Sequence, residues 1–191
     1  MAALFFSFNN RNKILNMNRK LCLFIAMSLD GYIAKPDGDI SFLDEMNQEG
    51  EDYGYKAYIE SVDTILLGRK TYDKILSMGV DSPYGDREVY VLTRTAHENS
   101  GKITFYSGDL KQLVTTLKSK SGKNIYCDGG AEIVQQLLNL DLIDEITISI
   151  IPIILGTGIR LFDGIYPEQK LTLLESKSFP KGLTQLHYAR K

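Results

Sequence analysis

Three short stretches of this 191-residue chain carry residue types suited to holding phosphate: Gly68-Arg69-Lys70-Thr71, Leu92-Thr93-Arg94 and Asp128-Gly129-Gly130-Ala131-Glu132-Ile133. A glycine lets a ligand come close to the backbone because it has no Cβ. A helix opening just after it offers unpaired N–H groups and a partial positive charge. Arg69 and Lys70 add cationic donors, and Thr71 adds a hydroxyl. Folds that bind NAD place an acidic residue after a strand to meet the ribose 2′-hydroxyl, whereas a base in that region accommodates a 2′-phosphate. Thr93-Arg94 is a hydroxyl followed by a base, so the pattern favours NADPH over NADH. The G-x-G-x-x-G fingerprint of an ordinary dinucleotide fold is absent, and Gly156-Thr-Gly158 does not supply it because Leu161 takes the third position.

The surrounding pattern must place these stretches. Leu21–Ala26, Thr64–Leu67, Val89–Leu92, Ile103–Tyr106, Ile125–Cys127 and Glu145–Ile151 are short apolar runs that read as buried strands. Between them lie helical spacings. Tyr55, Tyr58, Ile59 and Val62 fall on one face, Tyr72, Ile75 and Leu76 on another. Leu110, Leu113, Val114 and Leu117 follow Asp109 and Gln112, a capping-box pair, and Ile133, Val134, Leu137 and Leu138 form a fourth stripe. Leu171–Ser176 and Leu183–Ala189 flank Pro180-Lys181-Gly182 and read as a closing antiparallel pair. Strands alternating with helices predict an α/β fold, three layers around a mostly parallel sheet, with ligands bound beyond the carboxyl ends of the strands. All three phosphate-suited stretches stand at such ends.

Composition narrows the classes. With 43% hydrophobic and 24% charged residues, the chain reads as one ordinary domain, residues 20–191, behind a flexible extension, 1–19. The net charge of −2 gives no basic face for nucleic acid. No segment approaches the roughly 18 apolar residues of a membrane span. The apolar start, Met1 to Phe8, lacks a basic leader and reads poorly as a signal peptide. Cys22 and Cys127 lie in apolar runs and fit a reduced, cytoplasmic setting; with His97 and His187 the only histidines, no metal site is expected. Between Pro36 and Asp63 there are nine acidic residues and one base, Lys56, a segment suited to a neutral or cationic group and followed by bases suited to anions.

The ordered set Ala26-Met-Ser-Leu-Asp-Gly-Tyr-Ile-Ala34, Leu67-Gly-Arg-Lys-Thr-Tyr72, Val91-Leu-Thr-Arg94, Asp128-Gly-Gly-Ala-Glu-Ile133 and Pro152-Ile-Ile-Leu-Gly156 resembles the dihydrofolate reductase superfamily. Within it the chain looks most like stand-alone bacterial proteins related to the riboflavin-biosynthesis reductase domain. The resemblance implies a dihydrofolate-reductase-like fold and NADPH lying across the strand ends. Ala26, Ile33 and Ala34 would flank the nicotinamide; Gly68, Arg69, Lys70, Thr71, Leu92, Thr93 and Arg94 would hold the ribose and phosphates. Asp128, Gly129, Gly130, Ala131, Glu132 and Ile133 would meet the pyrophosphate, the two glycines joined by a cis peptide. The implied substrate pocket takes in Asp30, Phe42, Pro152, Leu155 and Gly156, for a pterin- or pyrimidine-type ring.

Asp52 falls in the register of the superfamily's acidic residue and is the expected catalytic group, though an aspartate at a helix start is equally an N-cap. Asp30 fits either a substrate contact or a turn. The chain has no tryptophan, the residue such reductases place in the substrate loop, and Phe42 is the candidate in its stead; no zinc-deaminase pattern is present. The expected activity is that of an NADPH-dependent aminouracil-phosphate reductase. Dihydrofolate reduction proper and NADPH binding without turnover are the other readings. The apolar stretch Glu145–Ile154 suggests a homodimer interface as well as a core.

Overall fold

The structure, a computed structural model, describes residues 19–79, 83–164 and 167–191. Its centre is an eight-stranded sheet in the order β5-β4-β3-β6-β1-β7-β10-β9. The strands are β1 (Leu21–Ser28), β3 (Val62–Gly68), β4 (Glu88–Leu92), β5 (Ile103–Tyr106), β6 (Asn124–Gly129), β7 (Glu145–Ile151), β9 (Leu171–Ser178) and β10 (Thr184–Arg190). All pairings from β5 to β7 are parallel; β10 runs antiparallel to β7 and to β9. A separate two-stranded sheet joins β2 (Tyr32–Ala34) to β8 (Ile159–Arg160).

Among the described residues, four α-helices form the outer layers: α1 (Tyr55–Glu60), α2 (Arg69–Ser77), α3 (Leu110–Ser119) and α4 (Ala131–Asn139). On one face, Leu113, Val114 and Leu117 of α3 and Ile133, Val134 and Leu137 of α4 pack on Leu21, Leu23, Leu66 and Ile125. On the other, Tyr58 and Ile59 of α1 and Tyr72 and Ile75 of α2 pack on Ile65, Leu67, Val89 and Tyr126. Strands covered on both faces must be apolar throughout, which is why these runs read without alternation. A third cluster, Phe42 and Met46 against Ile151 and Leu183, fastens the 3-10 turn Ser41–Met46 over the sheet beyond β7.

The α/β, mostly parallel architecture with an antiparallel C-terminal pair is as the sequence predicts. Several details differ. The helix expected through Val62 stops at Glu60, and Val62 opens β3 instead. Arg19 belongs to the ordered domain and not to an extension: it is buried and donates to the carbonyls of Lys123 (2.6 Å) and Leu117 (3.2 Å) and to Thr64 Oγ1 (2.7 Å). The remaining residues of that expected extension, 1–18, lie outside the described residues. β7 is an interior strand held between β1 and β10, so Glu145–Ile151 is core and has no edge to offer a partner. Both cysteines are buried and free. No helix among the described residues is long and apolar enough to cross a membrane.

Candidate active site at the carboxyl edge of the sheet

Register brings the three glycine- and base-bearing stretches together. Gly68, the last residue of β3, is paired with Leu92 at the end of β4, while Leu67 is paired with Gly129 at the end of β6. α2 and α4 therefore open side by side. Their N-cap residues are Gly68 and Gly130, and no side chain caps either; α3, in contrast, is capped by Asp109, which accepts the Gln112 N–H at 2.6 Å. Two neighbouring helix N-termini without side-chain caps, facing the same edge, make a concentrated anion site.

Both glycines sit where a side chain would be crowded. A Cβ on Gly68 would stand 3.0 Å from Ile133 Cγ1, and one on Gly130 would stand 3.1 Å from Thr71 Oγ1. The Gly129–Gly130 peptide is cis. The cationic side chains are spread around this cradle. Arg94 forms an ion pair with Glu132 of α4, both exposed. Arg69 binds Asp73 (2.7 Å), meets the His97 ring (2.7 Å) and lies over Phe105, 5.5 Å from the ring centre. Lys70 is exposed, and the Thr93 N–H donates to the Tyr106 carbonyl at 3.0 Å.

Asp128 lies immediately before these glycines. Tyr126 and Tyr84 donate their hydroxyls to its two carboxyl oxygens, one each. The Tyr126 hydroxyl is also 3.2 Å from the Phe24 carbonyl of β1. Burial pushes the Asp128 carboxyl above the usual carboxylate range, against the two phenol hydrogen bonds that act to lower it. Phe24 stacks on Tyr58 (4.5 Å) and meets Tyr55 edge-on (6.0 Å), walling this end of the face with aromatic rings.

The remaining expected residues take different places. Asp52 stands at the start of α1, but its two oxygens accept the N–H groups of Gly54 (2.9 Å) and Lys56 (2.9 Å). These bonds hold its carboxyl below the usual range, so this exposed group orders the helix start and is poorly suited to give up a proton. Asp30 accepts from Ser28 Oγ (2.6 Å) and from the N–H groups of Leu155 (3.1 Å) and Gly156 (2.8 Å). Those bonds lower its pKa to about 2, and they tie the β1–β2 turn to the 155–156 loop. Phe42 is buried with Met46, Ile151 and Leu183 and presents no ring face to a pocket. Ala26 and Leu155 are partly buried against that same cluster, Ile33 is partly buried against the main core, and Ala34 is buried. Pro152 and Gly156 are exposed.

Sequence reasoning missed Tyr84 and Tyr126 as partners of Asp128. The alternation Tyr126-Cys127-Asp128 puts Tyr126 and Asp128 on one sheet face and was a readable signal; Tyr84 lies 44 positions away and gave none. It also missed His97 and Phe105 beside Arg69. A cavity of about 240 Å³ lies apart from the strand ends, lined by Tyr72, Tyr84, Arg87 and Lys102 among others.

The fold and the glycine-lined edge define a dihydrofolate-reductase-like domain. The RibD C-terminal domain family matches residues 80–185, and the chain belongs to that family as a RibD-like reductase domain. It is 42% identical over 175 residues to the uncharacterized protein YwjB of Bacillus subtilis, covering 91% of this chain and 99% of that one. A Shewanella sp. PV-4 protein provisionally named for riboflavin biosynthesis superposes with a TM-score of 0.83 at 37% identity, over 90% of this chain and 99% of its own. The Thermotoga maritima diaminohydroxyphosphoribosylaminopyrimidine deaminase/5-amino-6-(5-phosphoribosylamino)uracil reductase shares the fold at 14% identity (TM-score 0.66); the match spans 91% of this chain and 57% of the larger protein.

Proposed function

We propose that this protein is an NADPH-dependent reductase of a small pyrimidine- or pterin-type ring, with an aminouracil phosphate of riboflavin synthesis as the leading substrate class. One observation carries the proposal: the paired N-termini of α2 and α4, both opened by glycine, at the edge where Arg94 and Lys70 stand. Backbone amides of Arg69, Lys70, Ala131 and Glu132 would hold the pyrophosphate. Arg94 would hold the 2′-phosphate, exchanging its exposed carboxylate partner for it. The cradle fits such a group because a methyl at Gly68 or Gly130 would crowd the other helix. When bound, reduced nicotinamide supplies the hydride.

The proton that must accompany it is assigned to Asp128 in place of Asp52. Burial favours a neutral Asp128, and the Tyr126 and Tyr84 hydroxyls donate to its two carboxyl oxygens. The neutral carboxylic acid beside Gly129 would supply the proton. Fluorescence titration with NADPH and NADH, followed by reduced-nicotinamide absorbance across aminouracil phosphates and pterins, tests the reading. Tighter NADPH binding and turnover of one ring class are expected. NADPH binding with no turnover across the panel would instead support a binding protein, and no binding would overturn both.

A further inference from the structure

We infer that Tyr84 is a positioning residue for Asp128, brought to it by Arg87 from the turn before β4; the inference rests on Asp128 supplying the proton of the proposed reduction. Tyr84 and Asp128 are 44 positions apart, yet the Tyr84 hydroxyl donates to Asp128 Oδ2, its one hydrogen-bond partner among the described residues. A carboxyl turns readily about its last side-chain bond, because that rotation has broad wells. A single donor would leave it hinged. With the Tyr126 hydroxyl on Oδ1 and the Tyr84 hydroxyl on Oδ2, both ends are held and the plane of the acid is fixed. Tyr126 reaches Asp128 because alternate residues of β6 share a sheet face. Tyr84 needs a support of its own.

Arg87 is that support. Its guanidinium donates from Nη1 to the Tyr84 carbonyl (2.9 Å), from Nε to the carbonyls of Ile59 (3.1 Å) and Val62 (3.2 Å), and from Nη2 to Ile59 again (2.6 Å). Ile59 lies in the last turn of α1 and Val62 opens β3, so the planar fork bolts the 83–87 turn to both elements. The Tyr84 ring, 5% exposed, packs in the cluster that holds Leu67, Val91 and Tyr126. The other titratable groups about Asp128 do not duplicate this contact. Tyr58 of α1 donates to the Cys22 carbonyl (3.1 Å), and Tyr55 of α1 stands edge-on to Phe24 (6.0 Å). Cys127 belongs to the cluster on the opposite sheet face.

The two phenol bonds act to lower the Asp128 carboxyl, so losing one of them raises it further. The test is a pH titration of the Asp128 carboxyl-carbon resonance in the labelled full chain, assigned by its loss in Asp128→Asn. Tyr84→Phe keeps the packed ring and removes the hydroxyl; the midpoint should rise by about one pH unit. Arg87→Lys keeps the charge without the fork and should move the midpoint the same way, while Tyr58→Phe should leave it in place. In turnover of an aminouracil phosphate or a pterin, whichever the chain reduces, Tyr84→Phe should lower kcat by about threefold to tenfold. The decline of activity at high pH should move upward with the resonance, and NADPH affinity should be unchanged. A midpoint that stays put in Tyr84→Phe, or moves as far in Tyr58→Phe, overturns the inference. So does a resonance that moves while the activity profile does not. NADPH binding decides the reductase reading separately: a chain that binds NADPH but shows an unmoved midpoint keeps that reading and loses this inference.

Discussion

A methyl group added at Gly68 tests how the two helix starts are fitted together. Gly68 has φ −79° and ψ 154°, so alanine is conformationally acceptable, and the cost must come from packing. The new Cβ would sit 3.0 Å from Ile133 Cγ1, 3.6 Å from Ile133 Cδ1 and 3.8 Å from the Gly129 carbonyl oxygen. Ile133 is 8% exposed and packed among core side chains, so its side chain or the start of α4 must give way slightly. Overpacking of this kind costs about 1–3 kcal/mol. Removing glycine freedom from the unfolded chain returns about 0.4–1 kcal/mol. A net loss of about 1–2 kcal/mol lowers Tm by roughly 2–8 °C for a chain this long. Displacement of the cradle also weakens charge-assisted bonds to phosphate, each worth about 1.5–3 kcal/mol, so NADPH affinity should fall by roughly tenfold to a hundredfold. The assay is a double-mutant cycle with Ile133→Ala, read by urea unfolding and by NADPH titration. Ile133→Ala alone costs about 2–5 kcal/mol, but in combination it removes the crowded atom, and a favourable coupling of about 1–2 kcal/mol is expected. Coupling below about 0.5 kcal/mol, the level of independent sites, or an unchanged NADPH affinity in Gly68→Ala, would refute the packing argument.

Arg94 and Glu132 have side chains 86% and 51% exposed. Their ion pair should contribute little to stability, so Arg94→Ala should leave Tm within about 2 °C while weakening NADPH at least about tenfold and NADH much less. Glu132→Gln removes a competing carboxylate from the anion site and should tighten NADPH a few-fold at low salt, the gain fading as salt screens it. Asp128→Asn keeps the shape but loses the transferable proton; kcat should fall by roughly a hundredfold or more, with NADPH affinity little changed. Because the Asp128 carboxyl is raised in the fold, the activity it supports is present at lower pH and declines as pH rises through that raised value. Asp30 titrates in the opposite sense. Its pKa falls from 3.8 to about 2, so the stability it contributes is complete above 3.8 and is lost as pH falls toward 2. Asp30→Ala should remove that acid-side dependence and speed hydrogen exchange at the Leu155 and Gly156 amides.

The strands of the parallel sheet were legible because burial on both faces demands uninterrupted apolar runs, and α3 and α4 because their stripes and the Asp109 cap are local signals. The joining of Gly68, Leu92 and Gly129 at one edge followed from strand topology. Interactions between distant segments were not legible. The β2–β8 pair is too short to show a period. Asp30 was ambiguous because its partners, Leu155 and Gly156, lie 125 and 126 positions away. Asp52 was ambiguous because a carboxylate at a helix start looks the same whether it caps the backbone or meets a ligand. The apolar run Glu145–Ile154 suggested an interface as well as a core since a doubly covered strand and an exposed apolar strand share a composition; β1 and β10 cover Glu145–Ile151, while Ile154 is 71% exposed.

The central claim is that a phosphorylated dinucleotide rests on the joined starts of α2 and α4. It is tested most directly by following backbone amide resonances of the labelled full chain during NADPH titration. Saturable shifts concentrated at Arg69, Lys70, Ala131 and Glu132, with Arg94 among the affected residues, are the predicted result. Saturable binding whose shifts avoid both helix starts would contradict it, as would spectra that do not respond to NADPH.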